Sequence, residues 1–244
     1  MGFFKSIISR RDSDGSLNSR LQELIDMSLE EASSMLEREK KCVEIVFFFD
    51  KSYSCIGTEK ITIDGFNRVI ENEVNNGFLG DIVSVVLFNH ESDTVYDRLP
   101  IENLGGIDYV AKGGTALYDT LYQKITYIEG RQKNDEVKPQ NTIVIIMTDG
   151  FDEHSFHYNL ADVRDLIMRK SADGWKFLFL GTMLNSKDVA EELGISRENA
   201  EYYSTGNLKY NFDAIESAIA GVREYGELQD GWSYSIIKHR LPKN

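Results

Sequence analysis

The chain has 244 residues, 41% of them hydrophobic and 27% charged, a composition that excludes disordered and fibrous classes and supplies the core of one domain with appendages. Twenty-seven Lys and Arg stand against 40 Asp and Glu, a formal charge of -13, which repels nucleic-acid phosphates and anionic lipid; with no basic stripe in the sequence, nucleic acid is excluded as a partner class. Two cysteines, Cys42 and Cys55, are too few for a disulfide framework, no apolar run approaches the about 20 residues that cross a bilayer, and no secretory signal pattern opens the chain, so a cytoplasmic location is expected.

The first residues, "MGFFKSIISRR", form a short amphipathic pattern that fits a membrane surface, and Gly2 with Ser6 fits an N-terminal acylation pattern. A terminus docked on its own chain is the favoured alternative. Leu17, Leu21, Leu24, Ile25 and Leu29 then recur at helical spacing, and this helix, ending near Lys40, is expected to pack on the main domain or on a second copy. The expected organisation is an N-terminal segment over 1–40, a domain over 41–225 and a tail over 226–244.

From Lys41 the pattern alternates strand and helix. "KCVEIVFFF" predicts a strand that takes in Cys42; residues 57–76 predict a helix with Ile61, Phe66, Val69, Ile70 and Val74 as its buried stripe; "DIVSVVLFN" predicts the next strand. "TVYDRLP" follows so closely that an antiparallel edge hairpin is expected, stopped by Pro100. A helix is expected over 113–130, entered through its glycines, then a charged loop "RQKNDEVKP" and the strand "NTIVIIMT". Further helices and strands are expected at "NLADVRDLIMRKSAD", "GWKFLFLGT", "SKDVAEELG", "AEYYST" and "NFDAIESAIAGVREYG", with Trp175 in the core; the tail is expected to add a strand or to cap the N-terminal helix. Near-continuous apolar strands separated by amphipathic helices imply a doubly wound α/β fold, a mostly parallel sheet with one antiparallel edge strand and helices on both faces.

In such sheets the ligand crevice lies beyond the carboxyl ends of the strands. Three loops there carry oxygen donors: Asp50, Ser52 and Ser54 after "IVFFF", Thr115 in "GGTALYD", and Asp149 in "IVIIMTDG". Two carboxylates and three hydroxyls suit Mg²⁺ or Mn²⁺, and less well Ca²⁺, whereas zinc sites favour thiolate or imidazole. Alternation turns Asp50, Ser52 and Ser54 to one side and Lys51 and Tyr53 to the other. Gly113 and Gly114 allow a close approach of the backbone before Thr115.

Asp50-Lys51-Ser52-Tyr53-Ser54, the Gly113-Gly114-Thr115 step and Thr148-Asp149-Gly150 resemble, in order, interval and strand context, the three pieces of the metal-ion-dependent adhesion site of von Willebrand factor A domains. The resemblance covers about Lys41 to Tyr225 and implies a Rossmann-like fold. It implies that Ser52 and Ser54 ligate a divalent ion directly, Thr115 directly or through water, and Asp50 and Asp149 through water. An acidic side chain of a protein partner would complete the coordination, with Tyr53, Gly114 and Gly150 bordering its approach. Tyr53 stands where many members of the family carry a small residue, and would line that groove or shield it.

Other readings compete. A metal-dependent phosphohydrolase or phosphotransferase with Asp50 as nucleophile would want a general acid two residues on, where Ser52 stands, and a phosphate-cradling loop that the sequence lacks. A self-assembling scaffold would use the N-terminal helix. His154 and His157, with Asp152 and Glu153, fit a transition-metal site but read better as a solvated loop. Cys55 in acidic surroundings is a poor nucleophile. The expected function is therefore a non-enzymatic, metal-dependent protein-binding module.

Overall fold

The computed structural model describes residues 42–135, 139–148, 151–203 and 205–240. The expected N-terminal helix and acylation pattern, and also Asp149 and Gly150, lie outside the described residues.

Within the compact unit over 41–244, the strands are β1 (Val43–Asp50), β2 (Ile82–Phe88), β3 (Ser92–Pro100), β4 (Asn141–Thr148), β5 (Lys176–Gly181) and β6 (Ala200–Tyr202). The helices are α1 (Glu59–Asn75), α2 (Leu117–Asn134), α3 (Leu160–Ala172), α4 (Ser186–Glu192), α5 (Lys209–Tyr225) and α6 (Tyr234–Lys238). The sheet runs β3-β2-β1-β4-β5-β6. Only β3 is antiparallel to its neighbour, as the short Asn89–Ser92 turn demands.

Both faces of the sheet are covered, and β1 shows why its apolar residues are continuous rather than alternating. Ile45, Phe47 and Phe49 enter one core with Phe66 and Val69 of α1 and Phe212, Ile215 and Ile219 of α5. Val46 and Phe48 enter the opposite core with Leu121 and Ile125 of α2 and Val163 and Ile167 of α3. A strand buried on both sides has no polar face to show.

Several local expectations shift. The buried stripe of α1 is Thr62, Phe66, Val69, Ile70 and Glu73, while Ile61 is exposed and Val74 only half-buried; at 3.6 residues per turn, Thr62 rather than Ile61 stands one turn before Phe66. Gly65 lets α5 come close, since a Cβ there would meet the Phe212 ring at 2.0 Å.

Helix α2 begins at Leu117, not at the glycines, and runs through "RQKN" to Asn134. Glu129 makes an i,i+4 pair with Lys133 at 3.0 Å, and Arg131 and Lys133 in the last turn suit the helix dipole. Cys42 precedes β1 instead of belonging to it, and its thiol donates to the Gly80 carbonyl at 2.5 Å. Beyond α5 the chain turns back and forms the short helix α6 in place of a strand; Trp232 and Ile236 join the core, and Trp232 Nε1 donates to the Glu198 carbonyl at 2.9 Å.

Candidate functional site

After β1 the chain passes to β2 on one side of the sheet, and after β3 it crosses to β4 on the other, so the switch in direction falls between β1 and β4. Asp50 ends β1 and Thr148 ends β4. The crevice of an open α/β sheet is expected there.

Asp50 is buried, and its carboxylate organises the turn that follows. One oxygen accepts the Ser52 backbone N–H at 2.8 Å, and the other accepts the Thr148 hydroxyl at 2.6 Å. A carboxylate that bridges two strand ends in this way suits action on an ion through its neighbours. Ser52 is extended, at φ -71° and ψ 174°, before the single 3-10 turn Tyr53–Cys55. The turn separates the side chains: Ser52 is 2% exposed, Tyr53 is 68% exposed, and Lys51 reaches sideways to Asp93 of β3. That lysine holds the Asp93 carboxyl below its ordinary range.

The Ser52 and Ser54 hydroxyl oxygens lie 3.1 Å apart. Neighbouring ligands of an octahedral ion at about 2.0–2.1 Å stand about 2.9 Å from each other, so this pair already has the spacing of one edge of a Mg²⁺ or Mn²⁺ shell. Ser52 is buried and Ser54 exposed, which gives the pair a protein side and a solvent side.

The loop that carries Thr115 is tied directly to this turn. The Tyr53 N–H donates to the Gly113 carbonyl at 2.8 Å, and the Lys112 N–H donates to the Lys51 carbonyl at 2.8 Å. Gly113 adopts φ +77°, a left-handed conformation that favours glycine. Thr115 is 3% exposed. Ser52, Ser54, Thr115 and Asp50 therefore belong to loops joined by short hydrogen bonds at one end of the sheet. Cys55, the last residue of the same turn, is buried.

Asn89 and Asp119, which the sequence did not single out, hold the site together with Asp152, which it offered only beside His154 and His157. Asn89, at the end of β2, donates from Nδ2 to the Lys112 carbonyl at 2.7 Å, while its own carbonyl accepts the Ala116 N–H at 2.7 Å. Asp119, in the first turn of α2, accepts backbone N–H groups from Phe156 at 3.0 Å, His157 at 3.0 Å and Tyr158 at 2.7 Å. Asp152 returns the favour by accepting the Tyr118 N–H at 3.1 Å. The Thr115 carbonyl also accepts N–H groups from Glu153 and His154, each at 2.9 Å. The loop after β4 is thus clamped to the start of α2. An Asp at the start of a helix is a local signal of capping, but it does not name a partner some 37 residues away.

Among the described residues no group of three or more His, Cys, Asp and Glu is placed to hold a metal ion. Asp152, which the transition-metal reading would need beside His154 and His157, caps α2 instead. Both Asp50 oxygens accept hydrogen bonds from the protein, and Lys51 is engaged by Asp93.

No protein-family sequence model and no curated protein matches the chain by sequence. Solved structures do match by fold. The chain is similar to proximal thread matrix protein 1 of the mussel byssus, at 16% identity and a TM-score of 0.55, over 73% of this chain and 48% of that one. It thus spans about half the length of the mussel protein. A second structure of that protein, with a zinc-occupied MIDAS motif, matches at 18% identity and a TM-score of 0.53, over the same 73% and 48%. The vWF domain of the type V pili tip protein Mfa5 from Porphyromonas gingivalis matches at 12% identity and a TM-score of 0.56, over 78% of this chain and 98% of that one.

Proposed function

Because the chain has the fold of a von Willebrand factor A domain, we propose that it is a protein-binding module, working in the cytoplasm, that engages an acidic side chain of a partner through a divalent ion. Ser52, Ser54 and Thr115 would hold the ion, with Asp50 behind them and Asp149 contributing as the sequence motif implies. When bound, the ion supplies a Lewis-acidic position for a carboxylate. Mg²⁺ and Mn²⁺ are the proposed occupants.

The observation that carries this reading is the 3.1 Å Ser52–Ser54 hydroxyl pair on a turn braced by Asp50 and bonded to the Gly113 carbonyl. Neutral hydroxyls at the ion leave it electrophilic, and the charge-assisted bond to an incoming Asp or Glu is stronger for that. The neighbours are described as a thread matrix protein and a pili tip protein, which supports a binding role over catalysis. A formal charge of -13 works against an acidic partner at long range, so binding should depend on local focusing of the field at the ion and on salt.

Calorimetric titration with Mg²⁺ and Mn²⁺ tests the metal site directly: heat of binding in the native protein and its loss in a Ser52→Ala/Ser54→Ala variant are expected. A partner captured from the native host in Mg²⁺ should be released by chelator. Capture that persists unchanged in chelator and in the double variant defeats the metal-bridged reading.

A further inference from the structure

We infer that His154 is a partner-contacting wall of the candidate site: its imidazole, seated on Gly114, faces the approach to the ion and donates a hydrogen bond to the carboxylate oxygen that the ion leaves free. The inference rests on the metal-bridged reading above and names a residue that reading does not contain.

The seat is defined by what Gly114 lacks. A Cβ on Gly114 would stand 2.0 Å from His154 Cε1 and 2.1 Å from Nδ1, far inside contact distance. Gly114 is not one of the glycines with positive φ, so its backbone conformation is open to any residue. The imidazole ring fills the space a side chain at 114 would take, and any Cβ there requires the ring to move. Nε2 stands farther off, at 2.8 Å from the same point.

The ring is held in that place from behind. His154 donates its N–H to the Thr115 carbonyl at 2.9 Å, one residue from the seat. Asp119 holds the next turn through the Phe156, His157 and Tyr158 N–H groups, and Ser155 Oγ accepts the Asp119 N–H at 2.9 Å. His154 is nonetheless exposed, and its ring nitrogens have no hydrogen-bond partner among the described residues. An exposed imidazole on a rigidly anchored backbone, in contact with the residue before Thr115, is preorganised for a ligand. In either neutral tautomer the ring offers an N–H donor, and a hydrogen bond to a charged carboxylate is the stronger kind. Tyr53, whose N–H is bonded to Gly113, flanks the same Gly113-Gly114 step from the other loop.

A double-mutant cycle tests the seat. Native protein, Gly114→Ala, His154→Ala and the Gly114→Ala/His154→Ala pair are titrated with Mn²⁺ alone by calorimetry, with thermal unfolding followed in chelator. Gly114→Ala is expected to weaken Mn²⁺ binding at least fivefold and to lower the melting temperature, and adding His154→Ala should restore both to near the values of His154→Ala alone. Simple addition of the two effects overturns the seat.

Acetate is then titrated into the Mn²⁺-loaded proteins, with binding read from water-proton relaxation. His154→Ala should weaken acetate about tenfold, the worth of one charge-assisted hydrogen bond, and His154→Gln should recover part of it. Equal acetate affinity in native protein and His154→Ala overturns the donor role and leaves the metal site standing. If the native protein binds no Mn²⁺, the metal-bridged reading and the donor role fall together, while the melting temperatures still decide the seat.

Discussion

Asp50→Asn isolates the charge behind the candidate site from its geometry. The carboxylate accepts from the Ser52 N–H at 2.8 Å and from the Thr148 hydroxyl at 2.6 Å. An asparagine can keep both contacts: its carbonyl accepts from Ser52, and its amide donates to the Thr148 hydroxyl, which turns to accept. The metal-free fold should therefore survive, with a change in unfolding free energy within about 1 kcal/mol. What is lost is a negative charge directly behind the Ser52 and Ser54 oxygens. Carboxylates that support metal ligands from this position typically carry 10- to 100-fold in affinity, or about 1.4–2.8 kcal/mol. Mn²⁺ calorimetry at fixed ionic strength, together with urea unfolding in chelator, separates the two effects. An Asp50→Asn protein that keeps its urea midpoint and binds Mn²⁺ as tightly as the native protein would refute the placement of Asp50 behind the ion.

Gly65→Ala in α1 sets a better helix former against a Cβ placed 2.0 Å from the Phe212 ring; overpacking of about 1–3 kcal/mol outweighs a propensity gain of at most about 1 kcal/mol, so the urea midpoint should fall. Asn211 is fully buried in α5, and among the described residues neither Oδ1 nor Nδ2 has a hydrogen-bond partner; Asn211→Ala, which removes two unmet polar groups, is expected to stabilise the protein by about 1 kcal/mol, and a lower midpoint would refute that expectation. Burial pushes the Glu73 carboxyl up to about 7 against the pull of Arg223, with Asp81 adding to the rise. Because the folded value lies above the unfolded 4.5, the contribution of Glu73 to stability is full below about pH 4.5 and is lost as pH climbs through 7. Glu73→Gln removes that titration, so its stability relative to the native protein should rise between pH 4.5 and 8 by an amount on the order of 3 kcal/mol; parallel pH profiles would contradict the assignment.

The residues by themselves determined the alternation of apolar strands and amphipathic helices, and hence a doubly wound sheet with β3 antiparallel at its edge. They also determined that Asp50, Ser52, Ser54 and Thr115 would stand on loops at the carboxyl end of that sheet. These features are legible because they rest on short-range pattern: side-chain period, strand length and the residues that immediately follow a buried strand. Tertiary structure decided what depends on atoms distant in the chain. Thr62 rather than Ile61 lies on the buried face of α1, and Gly65 answers to Phe212 rather than to any turn. Gly114, expected to allow a close approach of the backbone before Thr115, also leaves room for His154, a residue that sequence alone assigns to a solvated loop. Nothing in the sequence singles out Asn89 or Asp119, and Asp152 is suggested only as part of a solvated loop, yet their hydrogen bonds bind three loops into one surface. Pattern specifies which elements form and where they end; which side chain fills the space above a particular glycine is set only when the packed elements bring the two together.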